Sequence, residues 1–493
     1  MTTGRAGYRA RMGRARRVEV ELGDDAPATD AAPAPARDEP RRRPWWLAAV
    51  LAVVLVLVGA QVVTDQRERA ARAALAAVPG VLSPLDDVVR AAWQVDPGTR
   101  PGARVGDVLV AGLVSDDQAV ALQGLDVATG APVWTLEVLA ARGDWVPDAL
   151  ADTVPCATVP ARPGQVACLV TEGGWGRVDG RWVQTPTATA RLLVLDAADG
   201  TVRVDREVPP STQSFTPSGQ DVLLVGHEGG TLHVRAQSLA EGTPRWQVTA
   251  DVADDGPFAE VTATSGLLDA GTLGVVHGRG VTLVATDGEV LRTVVAEPRA
   301  ALSGVTTTSS AVLAPALRAA VVGDGERTTV VSATAEVVLD GTPVRVVVDD
   351  GSVPGLVLTR TPRLEAWDAG DGTRRWGTTV VDAQDVVVLR GRVHVGTSAA
   401  VVTYDGATGA ELWRTQRPTA TGPPQTDGRH LLVLGGRDGR HRAPYDLVAL
   451  HVTDGTEAWR TPLPAGTSVQ GLQGLLVTRP LDPVVPTVAQ VLR

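Results

Sequence analysis

Asp126-Val-Ala-Thr-Gly130-Ala-Pro-Val-Trp134 recurs along the chain, and that recurrence decides the fold. The clearest copies are Asp368…Gly372…Trp376 and Asp405…Gly409…Trp413. Gly455…Trp459 and Gly242…Trp246 keep the glycine and tryptophan but carry His451 and Ser238 at the acidic position. Asp196…Gly200 keeps the turn and puts Val204 in the tryptophan slot, and a weaker echo runs from Asp287-Gly288 to Arg292. In each unit a β-rich run, such as 120–125, leads into a turn where an acidic side chain can accept from nearby backbone N–H groups and glycine tolerates positive φ. A short strand follows, and its period-two alternation can turn the tryptophan into the layer between neighbouring sheets. One such unit cannot bury its apolar face, whereas stacked units can.

The chain has 493 residues, enough for about three ordinary domains on the ~150-residue prior, but repetition reverses that inference. The turn glycines recur at roughly the ~40–50 residues of a four-stranded propeller blade. The expected fold is therefore all-β, a closed β-propeller over 81–493. The run 85–95 with Trp93 reads as the outer strand of a blade whose other strands lie at the far end, in 467–492; joining them removes exposed sheet edges. Strands in the tryptophan position near Trp93, Trp134, Val204, Trp246, Arg292, Trp376, Trp413 and Trp459 give about eight blades. The segment 301–351 has strand-like runs without the motif, which leaves seven as an alternative.

The chain contains no lysine, asparagine or isoleucine, while arginine, alanine, valine, glycine and aspartate abound, the pattern of a very GC-rich genome. Valine and threonine must then supply the β-branched strand residues, and Asp-Gly does the work that Asn-Gly often does in turns. A Schiff-base lysine or an asparagine ligand is excluded. The formal net charge is −10, and because residues 1–44 are net positive, the excess of negative charge lies beyond them. That balance argues against nucleic-acid binding by the folded part.

Residues 45–63, WWLAAVLAVVLVLVGAQVV, form an uncharged apolar run about 28 Å long as a helix, close to the ~30 Å hydrocarbon core. The run reads as a single-pass transmembrane helix. Arg41, Arg42 and Arg43 before it place the N-terminus in the cytoplasm and the propeller outside, against the weaker pull of Arg67, Arg69 and Arg72. A cleaved signal peptide is the competing reading, with Val58-Gly-Ala60 as its cleavage spacing. Residues 1–44, rich in Ala-Pro and mixed charge, read as a disordered cytoplasmic tail, and 64–80 as a helical stalk ending at Pro79-Gly80.

Cys156 and Cys168 are the two cysteines. A hairpin about Arg162 sets them opposite each other across a ladder, where a disulfide is easy; a pair of buried reduced thiols is the alternative. Neither cysteine has the close companions that zinc requires.

The unit Ala366-x-Asp368-x-x-Asp371-Gly372-x-x-x-Trp376, echoed from Ala449 to Trp459, resembles the tryptophan-docking motif of the pyrroloquinoline-quinone repeat propellers. The resemblance runs from about Leu85 to the end, in the form of membrane-anchored actinobacterial members. It implies the propeller fold and leaves function open, since that family includes calcium- and quinone-dependent alcohol dehydrogenases as well as outer-membrane assembly scaffolds. The dehydrogenases resemble one another in an adjacent Cys–Cys disulfide, a calcium site with an asparagine, and a catalytic aspartate. Here the cysteines are separated and asparagine is absent. Neither a catalytic residue nor a cofactor or metal ligand is assigned.

The remaining chemistry is sparse. His227, His233, His277, His394, His430, His441 and His451 are scattered, without ligand spacing. Gly173 to Trp182 reads as an inserted hairpin with an Asp179-Gly180 turn, and Trp175 and Trp182 stand outside the repeat position. These rings either pack on the blade below or anchor a partner. The expected function is a membrane-anchored, non-catalytic binding or scaffold module for envelope proteins or cell-wall components. The alternatives are a quinone-dependent oxidoreductase and a ligand sensor that signals through the tail.

Overall fold

The computed structural model describes residues 74–493 except 86–88, 97, 116–118, 141–153, 173–174, 179–180, 185–188, 229, 253–262, 279, 297–309, 381, 384, 417–422, 437–444, 465 and 481–488; before residue 74 it describes only positions 61 and 66. The expected tail 1–44, the span 45–63 and most of the stalk 64–80 lie outside the described residues. Among the described residues no helix is long and apolar enough to cross a membrane.

Apart from a short 3₁₀ turn, Pro315–Leu317, and the helical turn at 74–76, the regular structure is β. Among the described residues, nine sheets of at least four strands follow one another, antiparallel but for one added strand, and each is a blade. Blade 1 shows the pattern: Thr99–Val105, Val108–Val114, Val120–Asp126 and Pro132–Leu139 pair in chain order. Its second strand is buried over its central residues and nowhere exposed, whereas the fourth alternates mostly between exposed and half-buried positions and forms the rim. The first strands of blades 1 to 5 lie against one another and so face the axis.

Apolar clusters fill the joints between blades. One cluster joins Val110, Val120 and Leu122 of blade 1 to Val166, Leu193 and Leu195 of blade 2. Further clusters fill each succeeding joint, and the last links Leu475, Val477 and Val491 to Leu109, Ala111 and Leu125, which closes the ring. Each fully buried leucine contributes roughly 2 kcal/mol by its removal from water.

Ring closure follows the sequence expectation. Ala91–Gln94 pairs with Gln490–Leu492, beside Leu475–Pro480 and Thr467–Leu472, so blade 9 is assembled from both ends of the described chain. The blade number does not: the described residues form nine blades rather than eight or seven. The additional blade is 310–340, within the segment that carries no motif. Its outer strand, Glu336–Asp340, has Val337 where other blades offer tryptophan, and a Cβ built on Gly372 of blade 6 would lie 2.9 Å from Val337 Cγ1. Valine packs this joint without leaving the signature by which blades were counted.

Blade 6 has a very short first strand, Thr342–Pro343. The chain then crosses to blade 7, where Arg345–Asp349 pairs parallel to Asp385–Leu389 as a fifth, innermost strand. Next to it, the segment 75–83 is built into the ring. Leu82 N–H donates to the Thr426 carbonyl at 2.8 Å and Ser83 N–H to Gly474 at 2.7 Å. Leu75, Val78 and Val81 pack with Val348 and Val387 between blades 7 and 8.

Candidate functional site

In a four-stranded meander the connections alternate ends. Links from first to second strand and from third to fourth lie at one face of the ring; the remaining links lie at the other. The first group consists of tight turns, such as 106–107, 219–220, 270–271, 390–391 and 473–474, with 344–355 in blade 6 as the long member. We call this the turn face. The segment 75–83 also lies there, with Leu75 beside Gly428 and Ser83 beside Gly474, both in such turns. The second group includes the connections 140–155, 172–189, 252–263, 296–309, 417–424, 437–444 and 481–489. This is the loop face.

The repeat aspartates belong to the turn face, and their oxygens are engaged locally. Asp126 Oδ1 accepts from Thr129 Oγ1 at 2.7 Å, Thr129 N at 2.8 Å and Ala128 N at 3.1 Å. Asp405 repeats the geometry with Thr408 Oγ1, Thr408 N and Ala407 N at 2.8, 2.9 and 3.2 Å. The threonine hydroxyls, and then the turn N–H groups, hold both carboxyls below the usual carboxylate range. Asp368 is lowered first by Arg375, whose Nη2 lies 2.6 Å from its Oδ2.

The repeat tryptophans bridge blades. Trp134 Nε1 donates to the Ala197 carbonyl at 2.9 Å, Trp246 to Thr286 at 2.9 Å, Trp376 to Gly406 at 2.9 Å and Trp93 to Val127 at 3.1 Å. The turn glycine lets the ring close in: a Cβ on Gly200, whose φ is 72°, would lie 2.6 Å from Trp134. Gly130 meets Trp93 and Gly409 meets Trp376 in the same way, and Gly455 meets the far edge of Trp413.

Besides the Val337 joint, four joints depart from the pattern of these tryptophan bridges. Val204 occupies the tryptophan slot opposite Val194, and Arg206 two residues on reaches Gly242 and donates to the Ser238 carbonyl at 3.3 Å. Arg292 stands 3.7 Å from Glu336 of the motif-less blade. Trp413 and Trp459 have buried Nε1 atoms with no partner among the described residues. Sequence spacing located the slots but not the replacements, because Arg206 acts from a position outside the motif.

Cys156 and Cys168 form a disulfide, directly opposite each other in blade 2 with Cα atoms 4.1 Å apart. Leu169 N–H donates to the Pro155 carbonyl, which makes 156/168 a non-hydrogen-bonded pair, the kind that brings Cα atoms closest. The bridge ties the end of connection 140–155 to the strand Gln165–Thr171 that leads into the inserted hairpin. That hairpin is present. Trp175–Val178 pairs with Arg181–Gln184, setting Trp175 opposite Gln184 and Trp182 opposite Arg177.

The described histidines do not converge on a common centre. His277 bonds Thr282, His394 bonds Thr403, and His430 bonds Asp427 while its ring lies near His451 and Trp459. Among the described residues no group of three or more His, Cys, Asp or Glu is arranged to hold a metal ion.

The model of the outer membrane protein assembly factor BamB family matches residues 116–378 and 321–486. The chain belongs to this family. Similar solved structures include BamB from Moraxella catarrhalis, at 16% identity over 82% of this chain and 100% of that one, with a TM-score of 0.42. A europium-containing methanol dehydrogenase is similar at 12% identity over 81% of this chain and 86% of its own, with a TM-score of 0.41. The quinohemoprotein alcohol dehydrogenase from Comamonas testosteroni is similar at 11% identity over 85% and 79%, also with a TM-score of 0.41. No curated protein matches the chain.

Proposed function

We propose that this protein is an extracytoplasmic binding or scaffold module, held to the cell membrane through its N-terminal segment, which engages envelope proteins or cell-wall components without catalysing a reaction. The observation that carries this reading is the asymmetry of the two faces. The turn face is made of self-capped tight turns and is partly covered by the chain's own segment 75–83. The loop face holds the long connections and the hairpin, which are the parts free to differ from one repeat protein to another. Membership of a family named for an assembly factor supports a binding role. The repeat carboxylates, committed to their own turns, lend no support to a catalytic one.

In-cell crosslinking of the full-length protein tests the reading. A variant whose connection 172–189 is shortened to the length of the corresponding turn 229–230 in blade 3 should fold, yet lose partner crosslinks that turn-face substitutions spare. Loss of crosslinks only from turn-face variants would reverse the assignment. Quinone and Ca²⁺ added to the purified protein should yield neither a cofactor absorbance nor dye reduction; either signal would establish the oxidoreductase reading instead.

A further inference from the structure

His430 and His451, far apart in the sequence, stand directly opposite each other on adjacent strands of blade 8, His430–Gly436 and Tyr445–His451. Val452 N–H donates to the Arg429 carbonyl at 3.1 Å, which makes 430/451 a non-hydrogen-bonded pair, the kind whose side chains approach most closely. Both rings project from one face of the sheet, with centroids 5.3 Å apart. Two imidazoles held through nitrogen at about 2 Å from one tetrahedral ion have their centroids at nearly that spacing, roughly 5 Å.

Asp427 decides which nitrogen of His430 carries the proton. Its Oδ1 accepts from the N–H groups of Arg429 and His430 at 2.8 and 2.7 Å, and its Oδ2 lies 3.1 Å from His430 Nδ1. A carboxylate only accepts, so Nδ1 is the donor and Nε2 of the neutral ring keeps its lone pair. The Asp427 side chain is 1% exposed and that of His430 10%, whereas His451 is exposed. A buried carboxylate behind a histidine is the arrangement that orients metal-binding rings and raises their basicity. Among the described residues, Nε2 of His430 and both ring nitrogens of His451 have no hydrogen-bond partner. Nor does the turn need His451. That residue holds the slot of the repeat aspartate, but Asp454 caps the turn instead, accepting from Thr456 N–H at 3.0 Å and its hydroxyl at 2.7 Å.

We propose that His430 and His451 bind a divalent transition ion that prefers imidazole, Cu²⁺ or Zn²⁺, with Asp427 orienting the first ring. Among the described residues no group of three or more His, Cys, Asp or Glu is arranged to hold an ion. The ion therefore keeps positions for water or for a donor from a docking molecule, and the site is exchangeable, unlike a closed structural zinc site. It lies on the turn face, beside the joint between blades 8 and 9, and is independent of the loop-face reading.

Cu²⁺ and Zn²⁺, each titrated alone into the untagged full-length protein in detergent, are the probes. His451→Ser gives blade 8 the residue that blade 3 carries at this slot, Ser238, so its melting temperature without metal should match the wild type. Asp427→Asn keeps an oxygen for the two turn N–H groups but turns an amide N–H toward His430 Nδ1, which moves the ring proton to Nε2. The wild type should bind its tightest equivalent of Cu²⁺ with nitrogen couplings from two imidazoles in the electron paramagnetic resonance spectrum. Saturating Zn²⁺ should raise its melting temperature, and the rise should be absent from His451→Ser. His451→Ser should weaken the tightest Cu²⁺ equivalent at least about tenfold and leave one imidazole coupling, and Asp427→Asn should weaken it about 10–100-fold. His233→Ala, in blade 3, should change neither reading. Equal Cu²⁺ affinity and couplings in the wild type and His451→Ser overturn the site, as does a tightest equivalent without two imidazole couplings. Binding that His233→Ala removes and His451→Ser spares is adventitious and overturns it too. Wild-type affinity in Asp427→Asn overturns the orienting role of the carboxylate.

Discussion

Arg392 Nη1 donates to the carbonyl of Val452 at 2.9 Å, across the joint between blades 7 and 8. The same nitrogen reaches the Thr453 carbonyl at 2.8 Å. In other joints the residue in the place of Val452 accepts from a tryptophan, as Gly406 does from Trp376. At this joint the arginine has taken the acceptor and Trp413 Nε1 is left without one.

A hydrogen-bonded and an orphaned indole should respond differently to the same truncation. Trp376→Phe loses packing and an interblade hydrogen bond, whereas Trp413→Phe loses packing alone and removes a buried donor without a partner. Trp376→Phe should therefore be more destabilising by about 1 kcal/mol, read from urea midpoints. Equal losses would mean that the indole N–H does not contribute to the joint.

Trp134, Trp376 and their turn glycines were legible in the sequence because one spacing serves both local turn and interblade contact. Cys156 and Cys168 were legible because a hairpin of known register needs only a turn to be found. The ninth blade was not, because Val337 fills its joint without an aromatic ring and Ser332 closes its turn in place of aspartate. Nor could spacing show that Arg345–Asp349 would leave blade 6 for blade 7, a choice made by tertiary pairing. The preference for one face was visible only as unequal gaps between repeats, and acquired meaning once strand order fixed the end of the blade to which each gap belongs.

Two glycines with similar backbone angles test what the docking ring demands. Gly219, at φ 59°, has open space where a Cβ would go, and Gly200, at φ 72°, has Trp134 at 2.6 Å. Gly219→Ala should cost about 1–2 kcal/mol from left-handed strain alone. Gly200→Ala should cost about 1–3 kcal/mol more, since the ring must move. The comparison is made by urea denaturation, and similar losses would show that the tryptophan is not held against its turn.

The disulfide constrains a short loop, and its reduction should lower stability by about 3 kcal/mol in the chain-entropy model. Its neighbourhood is tight as well: a Cβ on Gly102 of blade 1 would come 2.7 Å from Cys156 Cβ. Gly102→Ala should consequently destabilise the oxidised and reduced protein alike, because the clash is with a carbon that reduction leaves in place. A loss confined to the oxidised form would assign the contact to the bridge sulfur instead.

His394 makes stability depend on pH in a window that reaches above that of the carboxylates. Burial, and then the charge of Arg392, push its pKa down to about 3, against about 6.5 in an unfolded chain. Between those values the unfolded chain binds a proton that the native chain refuses, so stability falls as pH drops from about 6.5 toward 3. Asp126 and Asp405, with lowered pKa values, act lower: their contribution is present above the unfolded value near 3.9 and is lost as pH falls through the folded ones. His394→Gln should flatten the dependence of melting temperature on pH between about 4.5 and 6.5 and leave the more acidic limb in place. An unchanged slope above pH 4.5 would remove His394 as its source.

The segment before blade 9 is core as much as connection. Leu82 is 2% exposed and packs with Leu432, Leu434 and Leu476 in the joint between blades 8 and 9, and its N–H bonds the innermost strand of blade 8. Leu82→Ala should cost about 2–5 kcal/mol, as for other buried leucines, whereas the half-buried Leu75 should cost less when truncated in the same way. If the segment merely links the N-terminal region to a ring that folds without it, both variants should unfold at the wild-type urea concentration. If it is part of the ring, Leu82→Ala should lower the midpoint while the slope of the transition stays constant, because the native and unfolded states still differ by nearly the same buried surface.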